Sequence, residues 1–126
     1  MAAFEGIDHI DVVVDDPEKM TEFLLALGFV MVRRAPASRG SIEIRFPGGD
    51  NQPILELTPS KNPNGKVIPL GLRHVAIRAQ DLEATHAELL AKGYKFNGPI
   101  RDIEDTGRRL ANLVDPEGKT LQIVSA

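Results

Sequence analysis

Residues 7–29, IDHIDVVVDDPEKMTEFLLALGF, and residues 72–94, LRHVAIRAQDLEATHAELLAKGY, decide the fold because they follow the same plan. Each stretch has a histidine inside an apolar run, then a helical pattern that ends in glycine and an aromatic residue. His9 and His74 are 65 residues apart (74 − 9), and so are the two closing glycines, Gly28 and Gly93 (93 − 28). This period exceeds the roughly 20–50 residues of solenoid repeats, so we expect two fused modules.

Both stretches predict a strand followed by a helix. Residues 6–14 and 71–79 are rich in Val and Ile, a composition that favours strands. Asp16 precedes the first helical pattern with Pro17 at its first position, and Asp81 has the equivalent place in the second. Aspartate is a preferred N-cap and proline a preferred first helical residue. The glycine after each pattern then ends the helix.

Three shorter strands are expected after each helix, which makes one α+β domain of two βαβββ modules. Residues 59–70 contain three prolines and are the predicted linker between module 1–58 and module 71–126. The predicted short strands are residues 29–34, 41–46 and 53–58 in the first module and 94–97, 107–114 and 119–124 in the second.

Four polar residues interrupt the apolar alternation of the first and last strand of each module. Strand side chains alternate between two faces, so the apolar residues around them pack on the helix. The polar residues then lie on the opposite face, away from the helix. They are His9, Glu56, His74 and Gln122.

Two imidazoles, a carboxylate and an amide oxygen are the donor types that divalent transition metals prefer. Each donor comes from a different strand, so no local spacing motif is expected. The matching places in the two modules, together with the shared face, predict a metal site made of these four residues. The donor types suit Zn, Ni, Co, Mn or Fe without selecting one of them.

Composition narrows the class of protein. The 126-residue chain carries a net charge of −3 with scattered basic residues, which does not indicate nucleic-acid binding. It contains no cysteine, which excludes disulfides and a thiol nucleophile. No apolar run approaches the ~18 residues of a membrane span, and the first ten residues do not resemble a signal peptide. We therefore expect a cytoplasmic protein.

The segments that carry these residues, IDHIDVVV, ILELTP, LRHVAIRA and DPEGKTLQIV, resemble the vicinal oxygen chelate superfamily. This superfamily includes glyoxalase I, methylmalonyl-CoA epimerase, extradiol dioxygenases and bleomycin-resistance proteins. The resemblance covers almost the whole chain. It implies that the paired modules curl into a half-barrel around one divalent metal ion, usually completed in a homodimer. The four polar residues fall on the positions where the metal-dependent members place their ligands.

The chain departs from that pattern at the last strand, where the enzymes that this superfamily includes commonly have a basic glutamate. Here the position holds Gln122, whereas the carboxylate is Glu56, in the other module. Exchanging the two related modules restores the usual set, so Glu56 is the predicted catalytic base. Bacterial glyoxalases also carry an arginine four residues after the first ligand, and the same exchange of modules accounts for its place here. Val13 has that position here, and Arg78 has its counterpart after His74.

Three residues are predicted to bind substrate. Arg78 is suited to pair with a substrate carboxylate. Arg45 and Asp11 share the site face by strand alternation, as Glu43 does.

The resemblance implies a metal-dependent lyase, isomerase or epimerase of the glyoxalase type. Such an enzyme moves a proton through a metal-stabilised enediolate on a small carbonyl or thioester substrate. Two alternatives stay open. Two histidines and a carboxylate also form the triad of Fe(II) dioxygenases, although Gln122 replaces the carboxylate expected there. A bleomycin-resistance-type protein would bind a ligand without chemistry.

Overall fold

The computed structural model describes residues 3–125 and has the predicted βαβββ–βαβββ order. The α+β fold class is confirmed. The chain divides into two compact units: an N-terminal unit, His9–Arg73, and a C-terminal unit that includes residues 3–8 and 74–125. The elements are β1 (Phe4–Val14), α1 (Pro17–Ala26), β2 (Val30–Ala35), β3 (Ser41–Arg45), β4 (Ile54–Pro59), β5 (Gly71–Ala79), α2 (Leu82–Ala91), β6 (Arg101–Ile103), β7 (Arg108–Val114) and β8 (Thr120–Ser125).

Both helices begin with the predicted caps. The side chain of Asp16 accepts a hydrogen bond from the Lys19 backbone N–H, and Asp81 accepts one from Ala84 N–H, each at 3.0 Å. The glycine that follows each helix adopts positive φ, which spares any side chain the left-handed conformation. Neither helix is long and apolar enough to cross a membrane within residues 3–125.

The N-terminal unit pairs its strands in the order β2-β3-β4-β1. β1 and β4 are parallel, and the other two pairs are antiparallel. Helix α1 covers one face, where the predicted apolar residues of the strands pack. This core consists of Val14, Leu24, Ile42, Ile44 and Leu57, with Val12, Phe29 and Leu55 against it.

The C-terminal unit repeats this arrangement in the order β5-β8-β7-β6, again with a parallel first pair. Its helix-side core consists of Ala79, Leu82, Leu89, Ala111 and Ile123. A second apolar cluster lies on the opposite face of the sheet and consists of Ala76, Leu110 and Val124, with Ile103 against it. The strand register explains this cluster. Leu110 is paired with Val124, and Ala76 is paired with Gln122, which lies two residues before Val124 on the same face.

One predicted strand is wrong. Residues 94–97 form no strand; Phe96 makes only an isolated bridge to Leu113, and the paired strand is β6, at Arg101–Ile103. The sequence Gly98-Pro99 lies between the two segments. Proline lacks the N–H that a ladder needs, so pairing stops before it and resumes after it. The other predicted strands match the observed bounds to within two residues.

Candidate functional site

A line of four charged side chains crosses the N-terminal unit on the face opposite α1. The strand registers place Arg33 opposite Glu43, Glu43 opposite Glu56, and Glu56 beside Asp11. Directly paired residues share a face of the sheet, so three carboxylates are cross-strand neighbours. Glu43 and Asp11 are fully buried, and Glu56 is 7% exposed. We call Glu43, Glu56 and Asp11 the carboxylate row.

Glu56 contacts an imidazole. Its Oε1 lies 3.6 Å from Nε2 of His9, and the His9 side chain is only 2% exposed. Both side chains offer atoms that could bind a metal ion, and strands β1 and β4 hold them away from bulk water. A buried carboxylate is costly unless a cation or a donor accompanies it, so this pair is a natural place for a positive charge.

The other two acids of the row each have an arginine partner. Arg33 donates from Nη1 to Oε1 of Glu43 at 2.6 Å. Arg73 donates from Nη1 to Oδ2 of Asp11 at 3.0 Å, while the Thr58 hydroxyl donates to Oδ1 at 2.6 Å. Asp11 is therefore held from two sides and is part of the framework around Glu56.

Arg45 lies on the same face but is engaged by its own loop. Its Nη1 donates to the backbone carbonyls of Asp50, at 3.1 Å, and Gln52, at 3.0 Å. These bonds hold the turn between β3 and β4. Arg45, which was predicted to bind substrate, would therefore have to give up hydrogen bonds that hold this turn in order to do so.

The C-terminal unit has amides where the N-terminal unit has acids. Gln122 is in register with Asn112 on β7 and with Ala76 on β5. Its Nε2 donates to Oδ1 of Asn112 at 3.1 Å, which turns the Gln122 side-chain oxygen away from Asn112. His74 and Gln122 are each 8% exposed, so both predicted donors of this unit are buried.

Two arginines of the C-terminal unit share one acid. Arg108 donates from Nε to Oδ2 of Asp8 at 2.8 Å, and Arg78 donates from Nη1 to Oδ1 at 3.4 Å. Arg78 and Arg108 stand on the same sheet face as the second apolar cluster of this unit, since both lie two residues from its members Ala76 and Leu110. That face of the sheet thus has an apolar surface next to two positively charged side chains.

Three arginines of this arrangement were not predicted. Arg33 faces Glu43 because the register shifts between Met31 and Arg33, and simple alternation along β2 does not reveal such a bulge. Arg73 and Arg108 meet acids far away in the sequence. No local pattern marks those contacts.

Surface ion pairs join the first turn of each helix to a strand. Arg34 contacts Glu18 of α1, and its pKa is raised by that hydrogen bond. Arg109 donates from Nε to Glu83 of α2 at 2.6 Å, and this hydrogen bond lowers the pKa of Glu83. All four groups are solvent-exposed, so these pairs belong to the surface and not to the site.

Comparison with known proteins adds to this geometry. The sequence model of the Glyoxalase/Bleomycin resistance protein/Dioxygenase superfamily matches residues 6–123. No curated protein sequence matches significantly.

Several solved structures share the fold. Methylmalonyl-CoA epimerase from Mycobacterium tuberculosis has a TM-score of 0.73 and 20% identity, over 95% of this chain and 87% of that one. A variant of the Streptomyces coelicolor epimerase, in complex with 2-nitronate-propionyl-CoA, has a TM-score of 0.73 and 21% identity, over 98% and 99%. A methylmalonyl-CoA epimerase in complex with methylmalonyl-CoA and NH4+ has a TM-score of 0.72 and 21% identity, over 98% and 96%.

Proposed function

This chain belongs to the Glyoxalase/Bleomycin resistance protein/Dioxygenase superfamily, and we propose that it is a metal-dependent epimerase or isomerase. In this proposal it moves a proton at the carbon next to the carbonyl of a small carbonyl compound or thioester. The observation that carries the proposal is the carboxylate row, a line of buried acids beside a buried imidazole.

We propose that His9, Glu56, His74 and Gln122 together hold one divalent ion. Two imidazoles and a carboxylate have the chemistry for it, and the oxygen of Gln122 adds a fourth donor because its nitrogen is engaged with Asn112. Burial of all four side chains supports this assignment. When bound, the ion would supply Lewis acidity that stabilises negative charge developing on substrate oxygens.

Glu56 is the proposed base. A carboxylate that also serves as a ligand is a weak base, so Glu56 would have to be released from the ligand set to act as the base. Arg73 and Thr58 keep Asp11 in place while Glu56 moves. We therefore assign Asp11 a positioning role.

Glu43 is the proposed second proton-transfer group. Epimerisation removes a proton on one side of the substrate carbon and returns one on the other side, which two carboxylates accomplish more readily than one. Glu43 directly opposes Glu56 across β3 and β4, is fully buried and lies outside the proposed ligand set. Arg33 holds its orientation.

We propose that Arg78 binds an acid group of the substrate. Arg78 and Arg108 both contact Asp8, which places two guanidinium groups beside each other on this face. The adjoining apolar cluster suits a short acyl chain. Arg45, which bonds two loop carbonyls, is the weaker candidate for the same task.

The experiment is α-proton exchange in D2O, followed by NMR, with protein loaded with Zn, Ni, Co, Mn or Fe in turn. The substrates are α-branched acyl-CoA thioesters and 2-oxoaldehyde–thiol adducts. Deuterium incorporation by the wild type and its loss in Glu56→Gln are expected. Exchange that is undiminished in Glu56→Gln contradicts the assignment of the base.

Ring-cleaving dioxygenation is the second candidate, because His9, Glu56 and His74 also provide the donors of an Fe(II) triad. Oxygen uptake by the Fe(II)-loaded protein with catechols would favour it. Ligand binding without exchange or oxygen uptake would favour a binding protein of the bleomycin-resistance type. We also expect a homodimer, and light scattering at micromolar concentration that gives a monomer contradicts this.

A further inference from the structure

Arg39 adopts a backbone conformation that its side chain disfavours. It lies in the turn between β2 and β3 with φ of 65°, the one non-glycine residue at positive φ among those described. Gly40 follows with φ of 77°. This left-handed conformation is unfavourable for residues other than glycine, asparagine and aspartate. The turn would form more easily with glycine at position 39.

The guanidinium of Arg39 is also incompletely paired. Its Nε and Nη2 are shielded from solvent, and neither has a hydrogen-bond acceptor within residues 3–125. Arginine stays charged at every accessible pH, and buried donors without acceptors are costly. Arg33 and Arg73, which border the charged face of this unit, each have a carboxylate, and Arg45 on the same face has two backbone carbonyls.

The two unpaired atoms lie on the same edge of the planar group. Nε–H and one Nη2–H point in parallel, which is the geometry that receives two oxygens of a carboxylate or phosphate at once. The backbone strain and the unpaired edge of Arg39 both lower stability, and no hydrogen bond to Nε or Nη2 within residues 3–125 offsets this loss. A ligand with two oxygens would offset it.

The turn borders the charged face of its unit. Ser41, two residues after Arg39, lies opposite Thr58 with their hydroxyls 3.3 Å apart, and Thr58 donates to Asp11. Arg39 is thus two residues along the chain from a pair of hydroxyls that contacts the carboxylate row.

We propose that Arg39 is an oxyanion-binding residue that holds a carboxylate or phosphate group of an acidic ligand through Nε–H and Nη2–H. The turn has to shift to admit the ligand. Its residues 36, 37 and 40 are exposed, and its backbone bonds are local ones, Ser38 N–H to Ala35 and Gly40 N–H to Pro36. Only the identification of this ligand with the substrate rests on the proposed function.

Calorimetric titration with malonate and, separately, with inorganic phosphate tests the site without any turnover. The variants are Arg39→Gln and, as a control with the same charge change, Arg34→Gln, whose exposed guanidinium pairs with Glu18. We expect at least one probe to bind the wild type. Arg39→Gln should weaken binding about tenfold, as expected for loss of a bidentate charge-assisted contact, while Arg34→Gln leaves it unchanged.

The probe that binds more tightly identifies a carboxylate or a phosphate as the ligand group. Absence of binding by both probes, or equal effects of the two variants, overturns the proposal. Because no reaction is followed, a failure of the proposed epimerase activity does not alter this result.

Thermal unfolding supplies an independent readout. Without ligand, Arg39→Gly should raise Tm, because it removes both the backbone strain and the unpaired donors. The binding probe should raise Tm of the wild type and leave that of Arg39→Gly unchanged. A lower Tm for Arg39→Gly in the absence of probe, or an equal shift of both proteins by the probe, contradicts the proposal.

Discussion

The two units share one fold but differ at the centre of their open sheet faces. In each, a residue of the unit's last strand, β4 or β8, pairs with one from the unit's first strand and one from a third strand. In the N-terminal unit these three residues are acids, and in the C-terminal unit they are two amides and an alanine. The corresponding sets are Asp11, Glu56 and Glu43, and Ala76, Gln122 and Asn112.

This difference teaches that the duplicated fold fixes positions and leaves the chemistry to the residues placed there. Both units keep a histidine on the first strand, His9 or His74. The N-terminal unit has three carboxylates at this centre, whereas the C-terminal unit has amides there, beside an apolar cluster and two arginines that share Asp8. Under the proposed function the N-terminal unit would transfer the proton and the C-terminal unit would contact the substrate.

Exchanging the acid and the amide between the units has the largest expected effect. Glu56→Gln should lower turnover about a thousandfold, the range of a lost general base. The double variant Glu56→Gln/Gln122→Glu keeps the same four donor types but places the carboxylate opposite Asn112 instead of Glu43. We expect its metal content to match the wild type and its turnover to remain lost. Recovery of turnover in the double variant would show that the two units are interchangeable.

Replacement of Glu43 should give the next largest effect and divide the reaction into halves. In Glu43→Gln we expect inversion to fall about a hundredfold, while exchange of the α-proton with D2O persists for one epimer of the substrate. NMR with each epimer separately measures this. Glu117→Gln, which changes an exposed acid of the turn before β8, is the control and should not alter inversion. Equal loss of exchange for both epimers in Glu43→Gln would contradict a two-carboxylate mechanism.

Asp11 should contribute to the stability of the N-terminal unit, whereas the C-terminal unit has Ala76 at the equivalent place. Asp11→Asn should lower the free energy of unfolding by about 2–3 kcal/mol, because it weakens a fully buried acid bonded to Arg73 and Thr58. The control Asp15→Asn changes an exposed acid of the same strand end and should cost at most about 0.5 kcal/mol. Urea unfolding compares the two. Equal losses would mean that the buried network is not a framework of the row.

The smallest effects are expected where the units agree. Each has an exposed arginine paired with the first turn of its helix, Arg34 with Glu18 and Arg109 with Glu83. Exposed pairs contribute little, so Arg34→Gln and Arg109→Gln should leave Tm nearly unchanged at neutral pH. Since Arg109 lowers the pKa of Glu83, any stabilisation exists above the usual carboxyl pKa. It is lost as pH falls through the lowered value.

A measurement of Tm against pH for the wild type and Arg109→Gln checks this sign. The two curves should converge in acid. A difference that grows as pH falls would contradict it.

The sequence predicted those features that depend on local pattern. Asp16 and Asp81 cap their helices as expected, and apolar alternation put His9 and Glu56 on the face opposite α1. Residues 94–97 were predicted as a strand by analogy with the first module, and Gly98-Pro99, which follows them, interrupts the pairing there. That segment still bonds to β7, through Asn97 N–H to the Asn112 carbonyl at 2.8 Å, without forming a regular ladder.

What the sequence could not predict depends on contacts between distant residues. A bulge in β2 turns Arg33 towards Glu43, and Arg73 and Arg108 find acids 62 and 100 residues away. The unpaired edge of Arg39 is likewise a property of the folded chain. Charge alone would have placed all four arginines on the surface.

Metal analysis of the purified protein tests the central proposal most directly. Mass spectrometry of the metals in the wild type, in His9→Ala and in a chelator-treated sample reloaded with divalent ions gives the result. We expect about one divalent ion per chain in the wild type and the reloaded sample, and loss of most of it in His9→Ala. A wild-type protein that is metal-free and cannot be reloaded, or full occupancy in His9→Ala, would contradict the account.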